Sequence, residues 1–204
     1  EILHRGTTPI DADSFKEMSE QDDILVIDTR TKEIYTNEGT VPGAWYIGLG
    51  GSASNDMALG LLEALGFIFL DSNGALITYS FKNLSKIHSY ELPNSLQKKI
   101  QNCSFFAIND VLNPLCGPLG AANIYGPQKG GSEETILAMD GSFEAFVCRF
   151  NFPYPCDISL EGGGAAGGTA YGLKAFLNAQ FINGFDFLAS IACLEDLLVT
   201  QKYD

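Results

Sequence analysis

Four short segments of the chain combine residue types that could bind an anion and move a proton. Residues 50–56 are Gly-Gly-Ser-Ala-Ser-Asn-Asp, and residues 110–115 are Asp-Val-Leu-Asn-Pro-Leu. Residues 126–130 are Gly-Pro-Gln-Lys-Gly, and residues 162–168 are Gly-Gly-Gly-Ala-Ala-Gly-Gly. Glycine lets the backbone approach a ligand, free amides at a helix start favour anions, and carboxylate and ammonium groups carry protons and charge. These residue types suit chemistry on a small anionic substrate.

Two of these segments contain carboxylates whose chemical and structural explanations stay open. Residues 50–56 could hold an anion, or they could form a tight turn capped by Ser54 or Asp56. Asp110 could accept a hydroxyl proton or hold magnesium, with Asn113 orienting the same ligand, or it could cap a loop.

The other two segments leave similar alternatives. Lys129 could neutralise a carboxylate or a transferring phosphoryl group, or it could be a solvated surface lysine. Residues 162–168 could cradle an anion or allow a helix to pack closely, since neither P-loop nor Rossmann spacing is present. His88 has no obvious partner and is expected at the surface.

Alternating strands and helices must position these segments. Strands are predicted at residues 23–29, 44–49 and 104–108, and helices at residues 9–18, 57–65, 132–149, 169–179 and 186–198. The Asn73-Gly74 pair predicts a hairpin between residues 67–70 and 75–79. The pattern favours an α/β fold, a three-layer mixed sheet with helices on both faces.

Composition excludes several function classes. With 25 acidic and 12 basic residues, the formal charge of −13 disfavours nucleic acid and anionic membrane surfaces. The absence of zinc-ligand spacing, of a targeting segment and of a membrane-spanning run predicts a soluble, unprocessed cytoplasmic chain. The cysteines are odd in number, which argues against a disulfide framework: Cys103, Cys116, Cys148, Cys156 and Cys193.

Taken in order, the four segments resemble the motifs of type-1 glycerate kinases. Those motifs are Gly-Gly-Ser-Ala-Thr-Asn-Asp, Asp-Val-x-Asn-Pro-Leu, Gly-Pro-Gln-Lys-Gly and Gly-Ala-Gly-Ala-Ala-Gly-Gly. The resemblance covers residues 47–198 and includes Gly-Leu-Leu-Glu-Ala-Leu-Gly at residues 60–66. It implies the fold of the central domain of these kinases and transfer of the ATP γ-phosphate to a hydroxyl of D-glycerate with Mg²⁺.

The resemblance also implies residue roles. It assigns catalytic roles to Asp56, Asp110 and Lys129, with Asp110 also as metal ligand. It assigns contacts with the substrate to Gly51, Ser52, Asn55, Asn113 and Gln128. It assigns contacts with the nucleotide to Gly163, Gly164 and Gly167.

The chain departs from the family pattern at three places. Ser54 replaces a threonine, Gly163 replaces an alanine, and Met57-Ala58 replaces a pair of glycines. The last change is expected to place the bulky Met57 side chain beside the proposed anion site. Relatives of this kind are also longer and carry a second α/β domain built from both chain ends.

Residues 1–48 form a second unit in this interpretation, joined to residues 49–204 in one continuous globule. Residues 8–48 resemble the first half of a rhodanese domain, through Ile-Leu-Val-Ile-Asp-Thr-Arg at residues 24–30 and Val-Pro-Gly-Ala at residues 41–44. Cys116 is the nearest candidate for a sulfur-carrying cysteine.

Three functions therefore remain under consideration. The leading hypothesis is a glycerate kinase-like phosphotransferase with D-glycerate and ATP as partners. The second is a catalytically silent chimeric α/β protein, and the third is a rhodanese-like sulfurtransferase. Self-association to a homo-oligomer is left open.

Overall fold

The computed structural model describes residues 26–28, 44–79, 81–191, 194 and 198. Its strands are Val26–Asp28 (β1), Ala44–Gly48 (β2), Ile68–Leu70 (β3), Ser89–Glu91 (β4), Ser104–Asn109 (β5) and Gln180–Asn183 (β6). Its α-helices are Leu59–Ala64 (α1), Asn94–Gln101 (α2), Ala121–Tyr125 (α3), Glu133–Arg149 (α4), Ala165–Leu177 (α5) and Gly184–Ile191 (α6). Two 3₁₀ turns cover Phe81–Lys86 and Pro127–Lys129. The helix predicted at residues 9–18 lies outside the described residues.

A four-stranded sheet in the order β1-β2-β5-β6 forms the centre of the fold, and each neighbouring pair is parallel. Ile47 lies opposite Ala107, and Asn109 lies opposite Asn183, so β5 and β6 end side by side. Strands β2 and β5 are mostly apolar, as strands covered on both faces require. Their carboxyl ends share the edge of the sheet at which α/β proteins bind ligands.

Helices cover both faces of this sheet. On one face, the Tyr46 ring stacks on Phe106, with 4.8 Å between centroids, and on Phe187 of α6, with 5.2 Å. Successive strand residues point to opposite faces. On the other face, Ile47 and Ala107 are accordingly buried in the core cluster that includes residues of α5. These contacts confirm the predicted α/β class with helices on both faces.

The second sheet, β3 with β4, differs from the hairpin predicted between residues 67–70 and 75–79. The predicted turn forms, since Asp71 accepts two backbone hydrogen bonds within it. Beyond the turn, residues 75–79 make one isolated bridge to β3, and β4 supplies the paired strand. Tyr90 of β4 packs among core aromatic rings, whereas Leu76 is 70% exposed. Tertiary burial therefore selects β4, and the antiparallel pair stays separate from the parallel sheet.

Helix α4 agrees with its prediction. Ser132 caps it by accepting a hydrogen bond from the Thr135 amide at 3.3 Å, and its first turn is acidic. Phe143 and Phe146 on its apolar face are fully buried. Phe143 and Phe146 are three residues apart, so they place one face of α4 on the core.

Four of these helices and strands are absent from the sequence prediction: α2, α3, β4 and β6. Helix α3 lies between the strand predicted at residues 104–108 and the helix predicted at residues 132–149. Strand β6 lies between two helices and is only four residues long, so its pairing with β5 rather than its own pattern defines it. Within the described ranges, no helix has the length and apolar character needed to cross a membrane.

Candidate active site

Residues 162–168, here called the glycine loop, lead into α5 and include a left-handed kink at residues 166–168. Gly162, Gly167 and Gly168 have φ angles of 77°, 68° and 83°. Ala166 also has a positive φ, 51°, although it carries a side chain. Such a conformation costs an l-residue about 1–2 kcal/mol. Regular helical geometry follows Gly168, so the helix start predicted for this region is confirmed.

The glycine loop packs against protein backbone. A Cβ atom at Gly164 would lie 2.2 Å from the Pro114 carbonyl oxygen, and one at Gly167 would lie 2.2 Å from the Ser54 carbonyl oxygen. A Cβ atom at Gly163 would also meet a backbone oxygen, at 2.9 Å. The amides of Gly163 and Gly164 donate to carbonyl oxygens of the protein. The three glycines predicted to contact the nucleotide therefore have the geometry of the close-packing alternative.

All four sequence segments meet around the glycine loop. At its start, the Gly164 amide donates to the Asn113 carbonyl oxygen at 2.8 Å. At its end, the Gly167 carbonyl oxygen accepts a hydrogen bond from the Met57 amide at 3.2 Å. Residues 126–130 join this cluster through Lys129, which donates a hydrogen bond to the Ser54 carbonyl oxygen. Segments far apart in the sequence thus form one cluster at the carboxyl ends of β2 and β5.

Lys129 reaches this cluster from the 3₁₀ turn at Pro127–Lys129. Its Nζ donates to the Ser54 carbonyl oxygen at 2.5 Å, and its side chain is partly buried. Burial lowers the pKa of Lys129, and the Asp56 carboxylate acts in the opposite direction. A partly desolvated cation attracts an anion more strongly than a surface lysine does. The neighbouring Gln128 is exposed, and no hydrogen bond holds it among the described residues.

The first segment forms a turn closed by hydroxyl groups. Gly51 has a φ of 59°, a conformation that glycine adopts without strain. The Ser52 and Ser54 Oγ atoms are 2.6 Å apart, and the Ser54 amide donates to Ser52 Oγ at 3.1 Å. Ser54 therefore keeps a hydroxyl where the family pattern has threonine.

Asp56 is fully engaged at the start of α1. Its Oδ1 accepts a hydrogen bond from the Ala58 amide, and its Oδ2 accepts one from the Gly60 amide, both at 3.1 Å. This is the capping arrangement considered from the sequence. The charge of Asp56 still acts on Lys129, so it contributes to the electrostatics of the cluster.

The Met57 side chain is buried in the core, whereas its size led to the expectation that it would lie beside the proposed anion site. Its side chain is 0% exposed and belongs to the core. Met57 and Ala58 have φ angles of 53° and 63°, a left-handed path that the glycines of the family pattern adopt freely. The close approach of α5 accompanies this path, since a Cβ at Gly172 would lie 1.8 Å from the Met57 carbonyl oxygen.

Two buried amide atoms beside the glycine loop have no hydrogen-bond partner among the described residues: Asn55 Oδ1 and Asn109 Nδ2. The other end of the Asn55 amide donates to Met139 Sδ. A Cβ at Gly167 would lie 2.6 Å from Asn55 Oδ1, and one at Gly162 would lie 3.3 Å from the Asn109 amide. Buried polar atoms are rarely left unpaired, so these two atoms distinguish this region. Asn109 was not among the residues predicted for the site, and its one signal is its place at the end of β5.

Asp110 is exposed and contacts the start of α6. Its Oδ1 accepts hydrogen bonds from the amides of Gly184 at 2.9 Å and Phe185 at 3.2 Å. Its Oδ2 has no hydrogen-bond partner in the part of the chain that the structure describes. The capping alternative is therefore realised, but across the sheet edge rather than within its own loop.

Asn113 makes hydrogen bonds within the protein at both ends of its amide. Its Nδ2 donates to the Leu119 carbonyl oxygen at 2.9 Å, and its Oδ1 accepts a hydrogen bond from the Tyr125 hydroxyl at 2.6 Å. These bonds close the loop between β5 and α3. The side chain that was expected to orient a ligand therefore holds the loop that carries it.

Asp110 fits the role of a single carboxylate ligand to magnesium. The described residues include no group of three or more His, Cys, Asp or Glu side chains arranged to hold a metal ion. Mg²⁺ commonly uses one or two carboxylates and completes its shell with water and substrate phosphates. An exposed carboxylate with one unpaired oxygen suits that pattern.

Cys116 has an environment that opposes sulfur transfer. Its Sγ donates to the Asp140 carbonyl oxygen at 3.7 Å. Burial raises the pKa of the Cys116 thiol to about 12, and the Asp140 and Glu144 carboxylates add to the effect. Because the thiolate is the reactive form of cysteine, this geometry argues against a sulfur-carrying role.

Several known proteins similar to this chain are described as glycerate kinases. The model of the glycerate kinase family matches residues 42–203. Glycerate 2-kinase of Escherichia coli (strain K12) is 34% identical over 151 residues, which cover 74% of this chain and 39% of that protein. Glycerate kinase of Bacillus subtilis (strain 168) is 31% identical over 186 residues, which cover 86% of this chain and 48% of that protein.

A solved structure shows the same similarity. A Salmonella typhimurium LT2 protein assigned as glycerate kinase 2 superposes with a TM-score of 0.65 at 34% identity, over 76% of this chain and 42% of that one. The chain spans less than half the length of each of these relatives. The comparisons give no support to the rhodanese resemblance of residues 8–48, most of which lie outside the described residues. This chain belongs to the glycerate kinase family.

Proposed function

We propose that this chain forms part of an active site that transfers the γ-phosphoryl group of ATP to a hydroxyl of D-glycerate. One observation carries the proposal: the four motif segments meet around the glycine loop at the carboxyl edge of the parallel sheet. A parallel α/β sheet binds its ligands at this edge. The names of the relatives support this substrate class. The meeting of the four segments at the sheet edge supports this location for the site.

Lys129 is the cation of the proposed site. Phosphoryl transfer depends on positioning and charge neutralisation, and a partly desolvated ammonium supplies both. Its bond to the Ser54 carbonyl oxygen holds the ammonium beside the first segment. Ser52, Asn55 and Gln128 border the same place and are proposed to contact the substrate.

Asp110 is the proposed proton acceptor. The hydroxyl oxygen of D-glycerate would bond to the γ-phosphorus, the bond from that phosphorus to the leaving ADP oxygen would break, and the hydroxyl proton would pass to Asp110. Asp110 is also the proposed Mg²⁺ ligand, and the ion, when bound, neutralises charge on the ATP phosphates.

The other predicted site residues are proposed to build the site rather than to touch its ligands. Asp56 starts α1, and Asn113 closes the loop after β5. Gly163, Gly164 and Gly167 allow the segments to approach one another. Their substitution should therefore change stability together with activity.

A coupled assay for ADP tests the proposal with the purified chain, D-glycerate, ATP and Mg²⁺. A reaction without D-glycerate measures background ATP hydrolysis. Lys129→Ala should lower kcat/KM by about 10²–10³-fold. Lys98→Ala, on the exposed side of α2, is the matched control and should keep full activity.

The result also separates the kinase from a catalytically silent protein. Glycerate-dependent ADP formation that Lys129→Ala lowers by about 10²–10³-fold would support the proposal. A folded sample without such turnover, by circular dichroism and thermal unfolding, would contradict it. We also propose that the protein is located in the cytoplasm, where ATP is supplied. Self-association is a further proposal, which light scattering can measure.

A further inference from the structure

The ends of β5 and β6 place Asp110 beside the start of α6. Asn109 and Asn183 are the last residues of these strands and lie opposite each other in register. Asp110 follows the first strand, and Gly184 follows the second. Because the strands are parallel neighbours, these two residues leave the sheet at the same edge.

Helix α6 already has a cap from its own segment. Asn183 Oδ1 accepts a hydrogen bond from the Asp186 amide at 3.0 Å, which is the usual N-cap arrangement. The bonds from the Gly184 and Phe185 amides to Asp110 Oδ1 are therefore additional. Two amides of a rigid helix hold one carboxylate oxygen, so they fix the direction of the Asp110 side chain.

Gly184 makes this contact possible because it has no side chain. A Cβ atom there would lie 2.6 Å from Asp110 Oδ2 and 3.2 Å from both Cγ and Oδ1, and these are the nearest atoms. The obstacle is the end of a flexible side chain, not backbone, so an alanine would displace the carboxylate and leave the fold intact. The φ of Gly184 is not in the left-handed region, so alanine fits the backbone.

We infer that Gly184 is a positioning residue for Asp110. It lets the first two amides of α6 hold the carboxylate at the sheet edge in the orientation that phosphoryl transfer uses. The inference rests on the proposed function for Asp110. The physical contact itself can be tested without turnover.

The decisive variant is Gly184→Ala, with Gly141→Ala as the matched control. Gly141 lies in α4 and has open space at its Cβ position. Gly184→Ala should lower kcat/KM by about 10²-fold, mainly through kcat, because a displacement of about 1 Å in a catalytic group has an effect of this size. Thermal unfolding should show no loss of stability in either variant, and Gly141→Ala should keep its activity.

A double variant tests whether Gly184 acts through Asp110. In the Asp110→Asn background, Gly184→Ala should add less than about twofold, since coupled residues are not additive. Full activity in Gly184→Ala, or an equal fractional loss in both backgrounds, would overturn the inference.

Amide hydrogen exchange separates this inference from the proposed function. The Phe185 amide should exchange slowly in the native chain and faster in Gly184→Ala and Asp110→Ala, but not in Gly141→Ala. If the native chain lacks kinase activity, the proposed function fails while this exchange pattern still establishes the contact. Unchanged exchange in Gly184→Ala would show that a Cβ does not disturb the carboxylate, and the inference would be wrong.

Discussion

The two ends of α5 belong to regions with opposite physical character. Its C-terminal end places Phe176 among aromatic rings, including Phe150 at 5.6 Å and Phe152 at 5.2 Å between centroids. Its N-terminal end packs backbone against backbone at the glycine loop. One helix thus joins an apolar core to the candidate active site.

Most of the positive φ angles of non-glycine residues and the unpaired polar atoms occur at the N-terminal end, whereas the C-terminal end has one such residue, the C-cap Asn178. Non-glycine residues with positive φ in the described part are Met57, Ala58, Ala166 and Asn178, and the first three border the glycine loop. The two unpartnered amide atoms border the same loop. Strained backbone tends to gather at functional sites, where the surrounding structure holds it. The aromatic rings at the C-terminal end of α5 therefore stabilise the fold, and the N-terminal end contributes to the candidate active site.

Removing an aromatic ring should have the strongest effect on the stability of the fold. Phe176→Ala should lower the free energy of unfolding by about 4 kcal/mol, because Phe176 is 2% exposed and a cavity would remain. Urea denaturation followed by circular dichroism measures the change. The control is Phe185→Ala, since Phe185 is 66% exposed and should change stability by less than about 0.5 kcal/mol. An equal loss in both variants would show that the buried ring contributes no more to the free energy of unfolding than the exposed ring does.

A methyl group placed four residues earlier on the same helix tests the opposite end. Gly172→Ala should lower the free energy of unfolding by about 3 kcal/mol, because its Cβ would meet the Met57 carbonyl oxygen at 1.8 Å. The same change at Gly141, in open space, should raise stability by up to about 1 kcal/mol through helix propensity. Opposite signs in urea denaturation are expected. A stabilised Gly172→Ala would contradict the close backbone packing.

A smaller change in stability tests whether the backbone of Ala166 is strained. Ala166→Gly should raise the free energy of unfolding by about 1 kcal/mol, because Ala166 has a φ of 51°. Ala145→Gly, on the exposed side of α4, should lower it by about 1 kcal/mol, since that position is helical. Chemical denaturation at constant pH compares the two. If both variants lose stability equally, the left-handed conformation of Ala166 carries no strain.

Local patterns predicted much of the architecture. The apolar spacing and acidic first turn of α4, and the apolar runs of β2 and β5, are properties of neighbouring residues. The hairpin prediction failed because strand pairing depends on residues far apart in the sequence. The Asn73-Gly74 turn formed as expected, but the identity of the paired strand depended on where Tyr90 could be buried.

The candidate site shows the same division. Residue types identified Asp56, Asp110 and Asn113 as groups capable of chemistry, and the order of the motifs indicated the family. The sequence could not reveal that the Asp56 and Asn113 side chains are occupied by internal hydrogen bonds. It also gave no sign that Asn109 would be buried with an unpaired donor.

Composition and short-range periodicity are local properties, so they were sufficient to identify the segments rich in polar residues and glycine. That these segments meet around the glycine loop, and that Asp110 contacts Gly184, 74 residues away, depends on tertiary packing. Such contacts depend on strand order and on the space that each glycine leaves for a distant backbone. The strand order and this space arise only when all elements pack together.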